Sequence, residues 1–152
     1  MVDQICFVTG NSTKVLHAQV ALKEFGIKVV PQKVGLIEPR AEDPENVARE
    51  KAIQAFVKLN QPLMVEDSGI FISALNGFPK TFVRLVMDTI GVKGIIKLME
   101  GETNRAAEFR QSLAYIEPGM IHPQIFSYVD GGYIISDHVW ESAETNGYGG
   151  FD

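Results

Sequence analysis

The chain has 152 residues, of which 45% are hydrophobic, and its formal net charge is −5. This size and composition predict a single domain spanning residues 1–152 with its own core, and the acidic balance argues against a nucleic-acid-binding surface. No apolar run approaches the roughly 20 residues of a membrane span, no signal peptide is visible, and the single cysteine, Cys6, excludes an intrachain disulfide. A cytoplasmic protein is therefore expected.

The first segment predicts a strand, a short polar loop and a helix. The apolar run 5–8 is typical of a buried strand, and apolar residues recur at helical spacing from Val15 to Phe25, before Gly26. The loop 9–12 leads into a helix N-terminus, where free N–H donors favour phosphate. Lys14 opposes the helix dipole, which phosphate binding would explain. A solvated lysine without a role is the alternative, and the spacing of a Walker P-loop is absent.

A second strand and a second helix follow. Val29 and Val30 indicate the strand, and Asp43-Pro44 is typical of a helix start, with Asp43 as N-cap and Pro44 in the first turn. Glu38 lies in the polar loop between them. It is either a solvated charge or a ligand, if the fold brings it to the acids described next.

The central stretch begins as a buried strand, residues 63–65, and reaches two consecutive carboxylates, Glu66 and Asp67. Because acids disfavour strand interiors, we expect the strand to end there, and ligands bind at the carboxyl ends of strands in open α/β sheets. Ser68-Gly69 predicts a sharp turn, and residues 76–79 predict another. Two adjacent acids either cap a turn or bind a divalent cation, and the spacing leaves both open.

The second half of the chain predicts two short helices, residues 82–90 and 95–99, and then strands. Residues 106–116 form a long extended pattern, residues 125–129 form another, and Asp130-Gly131-Gly132 is typical of a hairpin turn. Alternating strands and helices followed by strands indicate an α/β fold, with a mixed sheet and flanking helices.

Three segments together resemble the inosine triphosphate pyrophosphatase family, whose members hydrolyse non-standard purine nucleoside triphosphates. The first is residues 7–14, which looks like the family's strand-loop-helix signature, and the second is Glu38 before a proline. The third is residues 65–69 with residues 74–79, similar to the central motif of the family. Residues 105–115 also fit the long strand that follows this motif.

The resemblance implies an elongated mixed sheet around a central cleft, a homodimer, a Mg²⁺ requirement and hydrolysis of ITP, XTP or dITP to the monophosphate and pyrophosphate. It implies that Glu38, Glu66 and Asp67 bind or position Mg²⁺. Asp67 would activate the attacking water with Glu66 beside it, and Lys14 would also act in catalysis. The implied substrate-binding residues are Thr9, Gly10, Asn11, Ser12, Lys14, Ser68 and Phe151.

The sequence departs from the family pattern at several positions. His17 stands where an acid is usual, Lys80 stands where glycine is usual, and the chain stops where the family's second lobe continues. We therefore expect a shortened C-terminal lobe, in either a naturally short or a truncated relative of the family. A catalytically weak nucleotide-binding or interaction protein is the alternative function, and a metal-dependent phosphomonoesterase using the same acids is a third.

Overall fold

A computed structural model of the protein describes residues 3–135 and shows one mixed sheet with helices on both faces. The strands are β1 (Gln4–Val8), β2 (Lys28–Gln32), β3 (Leu63–Ile72), β4 (Pro79–Lys80), β5 (Ala106–Ile116) and β6 (Gln124–Tyr133). Their order is β2-β1-β3-β5-β6, with β4 paired to the far half of β3. The β1 strand pairs in parallel with β2 and β3, and the pairs β3–β5 and β5–β6 are antiparallel. The predicted α/β class with a mixed sheet is confirmed.

The helices are α1 (Ser12–Lys23), α2 (Pro44–Leu59), α3 (Val83–Thr89) and α4 (Gly91–Leu98), with a 3₁₀ turn at Ser73–Leu75. As predicted, Asp43 is the N-cap of α2, and its carboxylate accepts a hydrogen bond from the Glu45 amide at 3.0 Å. Asn11 caps α1 in the same way. Within residues 3–135, none of the helices has the length and apolar character needed to cross a lipid bilayer.

The two faces of the sheet carry separate parts of the core. Helix α2 buries Ala48, Ala52 and Ala55 against alternate residues of β3, among them Leu63 and Val65. Helix α1 packs Val15, Ala18 and Leu22 against the opposite face, which includes Met64 of β3. Because side chains alternate along a strand, the first half of β3 offers its odd-numbered residues to α2 and its even-numbered residues to α1. In the far half, Ile70 and Ile72 pack with residues of α3 and α4.

Two predicted chain reversals are wrong. The strand β3 does not end at Glu66 and Asp67 but continues through Ser68 and Gly69 to Ile72, because β5 pairs with it along its whole length. The predicted hairpin at residues 130–132 is also absent, since these residues belong to β6 and pair with residues 107–109 of β5. Continuous pairing with β5 outweighs the weak strand propensity of acids and glycines in both places.

Candidate active site

Glu66 and Asp67 lie on β3 just past the point where β1 ends. The β1–β3 pairing extends only to Phe7 and Met64, so Glu66 and Asp67 lie beyond the paired segment of these two strands. Consecutive strand residues point to opposite faces, so Glu66 lies on the α1 face and Asp67 on the α2 face. Each helix supplies one lysine to the acid on its own side.

Lys14 of α1 pairs with Glu66. Its ammonium lies 2.7 Å from Glu66 Oε2, and the Glu66 side chain is only 3% exposed. Apart from this ion pair, neither carboxylate oxygen of Glu66 has a hydrogen-bond partner among residues 3–135, so the Lys14 charge is its compensation in the described part of the chain. Burying a carboxylate that has so few polar partners is energetically costly, so a cation beside Glu66 is strongly favoured.

Lys51 of α2 lies between two carboxylates. Its ammonium is 3.0 Å from Glu38 Oε1 and 3.6 Å from Asp67 Oδ1. The Lys51 and Asp67 side chains are 17% and 15% exposed, whereas the Glu38 side chain is 67% exposed. Lys51 therefore brings the loop carboxylate of Glu38 next to the strand carboxylate of Asp67.

Burial dominates the protonation of Asp67. Desolvation raises the pKa of Asp67 from 3.8 to about 6, although the charges of Lys51 and Lys14 lower it; the nearby Glu38 and Glu66 carboxylates add to the rise. A carboxylate with a pKa of about 6 is still ionised at neutral pH but accepts a proton more readily than an exposed aspartate.

The loop after β1 is held in shape by its own side chains. The Asn11 amide donates to Thr9 Oγ1 at 3.1 Å, and the Lys14 amide donates to Asn11 Oδ1 at 3.0 Å. The first-turn amides of Ser12 and Thr13 have no acceptor within the helix and carry the positive end of its dipole. Gly10 is exposed, so an anion can approach its backbone.

The donor chemistry of the site fits a hard divalent cation. Mg²⁺ is usually held by one or two protein carboxylates, with waters and substrate phosphates completing its shell. Glu38 and Asp67, which share Lys51 on one face, supply such a pair. Within the described residues 3–135, no three His, Cys, Asp or Glu side chains come together as a protein-only metal cage.

The remaining predicted site residues fall in different places. Ser68 is half-buried on the same face of β3 as Glu66, opposite Gln111 of β5. Phe151 lies outside the described residues. The sequence reasoning missed Lys51, which contacts both Glu38 and Asp67. Its only sequence signal is its place in the predicted second helix, seven residues beyond Pro44.

Comparison with known proteins assigns the chain to a family. Residues 5–152 match the model of the Ham1 family. The chain belongs to the Ham1 family. The family predicted from the three sequence segments is thereby confirmed.

Two relatives of this Ham1-family chain are archaeal dITP/XTP pyrophosphatases. The protein from Methanosarcina mazei is 42% identical over 146 residues, which are 96% of this chain and 77% of the relative. The protein from Thermococcus kodakarensis is 36% identical over 148 residues, which are 97% of this chain and 75% of the relative.

Solved structures agree on the fold. A HAM1 protein from Coxiella burnetii superimposes with a TM-score of 0.80 and 27% identity, covering 90% of this chain and 75% of that one. The Staphylococcus aureus Ham1 protein has a TM-score of 0.75 at 21% identity, covering 88% and 72% of the two chains, and shows the fold alone.

Proposed function

We propose that the protein is a nucleoside triphosphate pyrophosphatase that converts ITP, XTP or dITP, with water, to the nucleoside monophosphate and pyrophosphate. The observation that supports this most directly is the pairing of Glu66 with Lys14 and of Asp67 with Lys51 beside a helix N-terminus. The names of the archaeal relatives, dITP/XTP pyrophosphatase, support the choice of bases.

The cations on the two sides of β3 suit a polyphosphate. Lys14 and the first-turn amides of α1 would bind phosphate oxygens on one side, and Lys51 would bind them on the other. A tetra-anion approaching these lysines would compete with Glu66 and Asp67 for the two ammonium groups. The acids hold both lysines in place before substrate arrives, which lowers the ordering cost of binding.

Glu38 and Asp67 would hold Mg²⁺, because their carboxylates lie on the same face and share one lysine. The bound ion would neutralise phosphate charge and polarise the phosphorus–oxygen bond that breaks. Glu66 lies on the other face with Lys14, so we propose that it contributes by positioning the Lys14 ammonium.

Asp67 is the proposed general base. Its carboxylate would take a proton from the attacking water as the new phosphorus–oxygen bond forms, and the bond between the α-phosphoryl group and pyrophosphate would break. In the metal-free protein burial raises the pKa of Asp67 to about 6, and a bound cation would favour the ionised form, which is the form that accepts the proton.

The test is to incubate the protein with ITP, XTP, dITP and ATP in the presence of Mg²⁺ and to measure pyrophosphate and orthophosphate separately. Pyrophosphate from the first three substrates, with little from ATP, is expected. Orthophosphate alone would indicate a phosphomonoesterase or phosphohydrolase, and nucleotide-dependent thermal stabilisation without any product would indicate a binding protein.

A matched pair of variants assigns the chemistry. Asp67→Asn should reduce turnover by about 100-fold or more, because the base is lost, while the fold is retained. Asp88→Asn is the control, since Asp88 is a surface partner of Arg84 on α3. Equal turnover in the two variants would remove Asp67 from the mechanism.

A further inference from the structure

The loop that carries Glu38 has no regular secondary structure. It runs from residue 33 to residue 43 between β2 and α2, and the Glu38 side chain is largely exposed. An exposed glutamate on an irregular loop would normally sample many positions. Its approach to Lys51 and Asp67 therefore needs a restraint on the loop backbone.

Gln54 of α2 supplies such a restraint. Its Oε1 accepts a hydrogen bond from the Ile37 amide at 2.8 Å, and its Nε2 donates to the Ile37 carbonyl oxygen at 2.9 Å. One carboxamide thus satisfies both backbone groups of the residue immediately before Glu38. Two simultaneous bonds fix the orientation of this backbone as well as its distance, which one bond would not do.

The Ile37 backbone, rather than its side chain, anchors the loop. The Ile37 side chain is 79% exposed, so its packing adds little. Pro39 follows Glu38 and restricts the Glu38 backbone to extended conformations. With the Ile37 peptide groups fixed on one side and the proline on the other, the Glu38 side chain is directed toward Lys51.

Gln54 belongs to one stripe of α2 that faces this loop. Lys51, Gln54 and Lys58 are spaced three and four residues apart, which places them on the same side of the helix. Lys51 contacts the Glu38 carboxylate, and the Lys58 ammonium donates to the Gly35 carbonyl oxygen. Residues Ala52 and Ala55 of the same helix are fully buried against the sheet, so the stripe is mounted on a rigid element.

We propose that Gln54 is a positioning residue: its paired hydrogen bonds with the Ile37 backbone set the Glu38 carboxylate beside Asp67, where the two acids hold a divalent cation. The role of Gln54 in a catalytic cation site rests on the proposed function. Its hydrogen bonds and its effect on cation affinity can be measured without any turnover. Gln54 itself touches neither the cation nor the substrate. It acts on the affinity for the cation through Glu38.

Hydrogen exchange tests the restraint directly. Gln54→Met keeps the size and helix propensity of the residue and removes both hydrogen bonds. The Ile37 amide, protected in the parent protein, should exchange about tenfold faster in this variant. Gln19→Met is the matched control, because it removes a glutamine hydrogen bond from α1 to the Val29 carbonyl oxygen and should leave Ile37 protected. Equal exchange at Ile37 in all three proteins would overturn the proposal.

Cation binding tests the consequence without nucleotide. Mn²⁺ titration followed by water-proton relaxation should give a dissociation constant roughly tenfold or more higher for Gln54→Met than for the parent, with Gln19→Met unchanged. If Gln54 acts through Glu38, adding Gln54→Met to Glu38→Gln should weaken binding no further. Additive losses, or unchanged binding despite faster exchange at Ile37, would refute the positioning role.

Turnover separates this inference from the proposed function. The Mg²⁺ concentration for half-maximal pyrophosphate release should rise in Gln54→Met, while the rate at saturating Mg²⁺ stays near that of the parent. A protein that releases no pyrophosphate but shows the exchange and Mn²⁺ effects would refute the function and retain the positioning role. A lower rate at saturating Mg²⁺, with Mn²⁺ binding unchanged, would refute the positioning role and retain the function.

Discussion

Glu66 and Asp67 are neighbours in the chain, yet β3 sends their carboxylates to opposite faces of the sheet, where lysines of two different helices pair with them. The two pairs differ in burial. The Glu66 side chain is almost fully enclosed and, among the described residues, has no polar partner besides Lys14, whereas Asp67 shares its lysine with an exposed carboxylate. Loss of each lysine should therefore have a different consequence.

Lys14→Met should destabilise the protein by about 2 kcal/mol or more, because it leaves the Glu66 charge buried without compensation. Urea unfolding of metal-free protein at pH 7.5 measures this loss. In a Glu66→Gln background the same Lys14 substitution should cost much less, since no buried charge remains. A full loss in both backgrounds would show that Lys14 stabilises the fold through its aliphatic packing instead.

Asp67 should make stability depend on pH. Its folded-state pKa is raised to about 6, above the ordinary value of 3.8, so the folded protein holds a proton that the unfolded chain releases between these values. The contribution of Asp67 to the free energy of unfolding should therefore fall as pH rises from about 4 to about 6 and stay low above that.

Asp67→Asn should consequently raise the stability of the metal-free protein at pH 8, by at most on the order of 3 kcal/mol, with the gain disappearing below about pH 4. Urea titrations across this pH range, with Asp88→Asn as the surface control, measure the difference. A gain that is independent of pH would contradict a raised Asp67 pKa.

Lys51→Met should move the pKa of Asp67 further upward, because the Lys51 charge opposes the effect of burial. Carbon-13 NMR of the labelled Asp67 carboxyl group, in metal-free protein, would follow this titration. Lys93→Met on α4 is the control and should leave the Asp67 titration unchanged. A downward shift in Lys51→Met would mean that Lys51 contributes more to the burial of Asp67 than to its charge balance.

Gly69 lies where β4 meets β3, and a methyl group should not fit there. A Cβ at this position would stand 2.5 Å from the Lys80 carbonyl oxygen, which belongs to the backbone and has little freedom to move. Gly69→Ala should therefore cost about 2 kcal/mol or more in urea unfolding. Gly131→Ala in β6 is the matched strand control, because open space surrounds that position and its effect should stay within about 0.5 kcal/mol.

Lys80 combines an unfavourable backbone with a favourable charge. Its φ is +57°, a left-handed conformation that glycine adopts without strain, while its ammonium pairs with Glu42 in the loop before α2. Lys80→Ala should lose the ion pair and keep the backbone strain, whereas Lys80→Gly should lose the ion pair and relieve the backbone strain. Chemical denaturation should find the glycine variant more stable than the alanine variant by about 1 kcal/mol. Equal stabilities would indicate that the left-handed conformation is not retained.

The sequence by itself determined the local features of this protein. Capping and periodicity act over a few residues, so the start of α2 at Asp43-Pro44 and the span of β5 were both predictable. The segment carrying Lys14 and the segment carrying Glu66 and Asp67 were visible too, because the residues of each segment are close together in the sequence.

Only the tertiary structure decided what those residues contact. Whether β3 stops at Asp67 depends on the presence of β5 beside it, and whether Glu66 is buried depends on α1, which lies about 50 residues earlier in the chain. The same holds for Lys51 and Gln54, whose partners Glu38 and Ile37 lie on a separate loop. Strand pairing and charge burial are set by neighbours distant in sequence, and no local pattern encodes them.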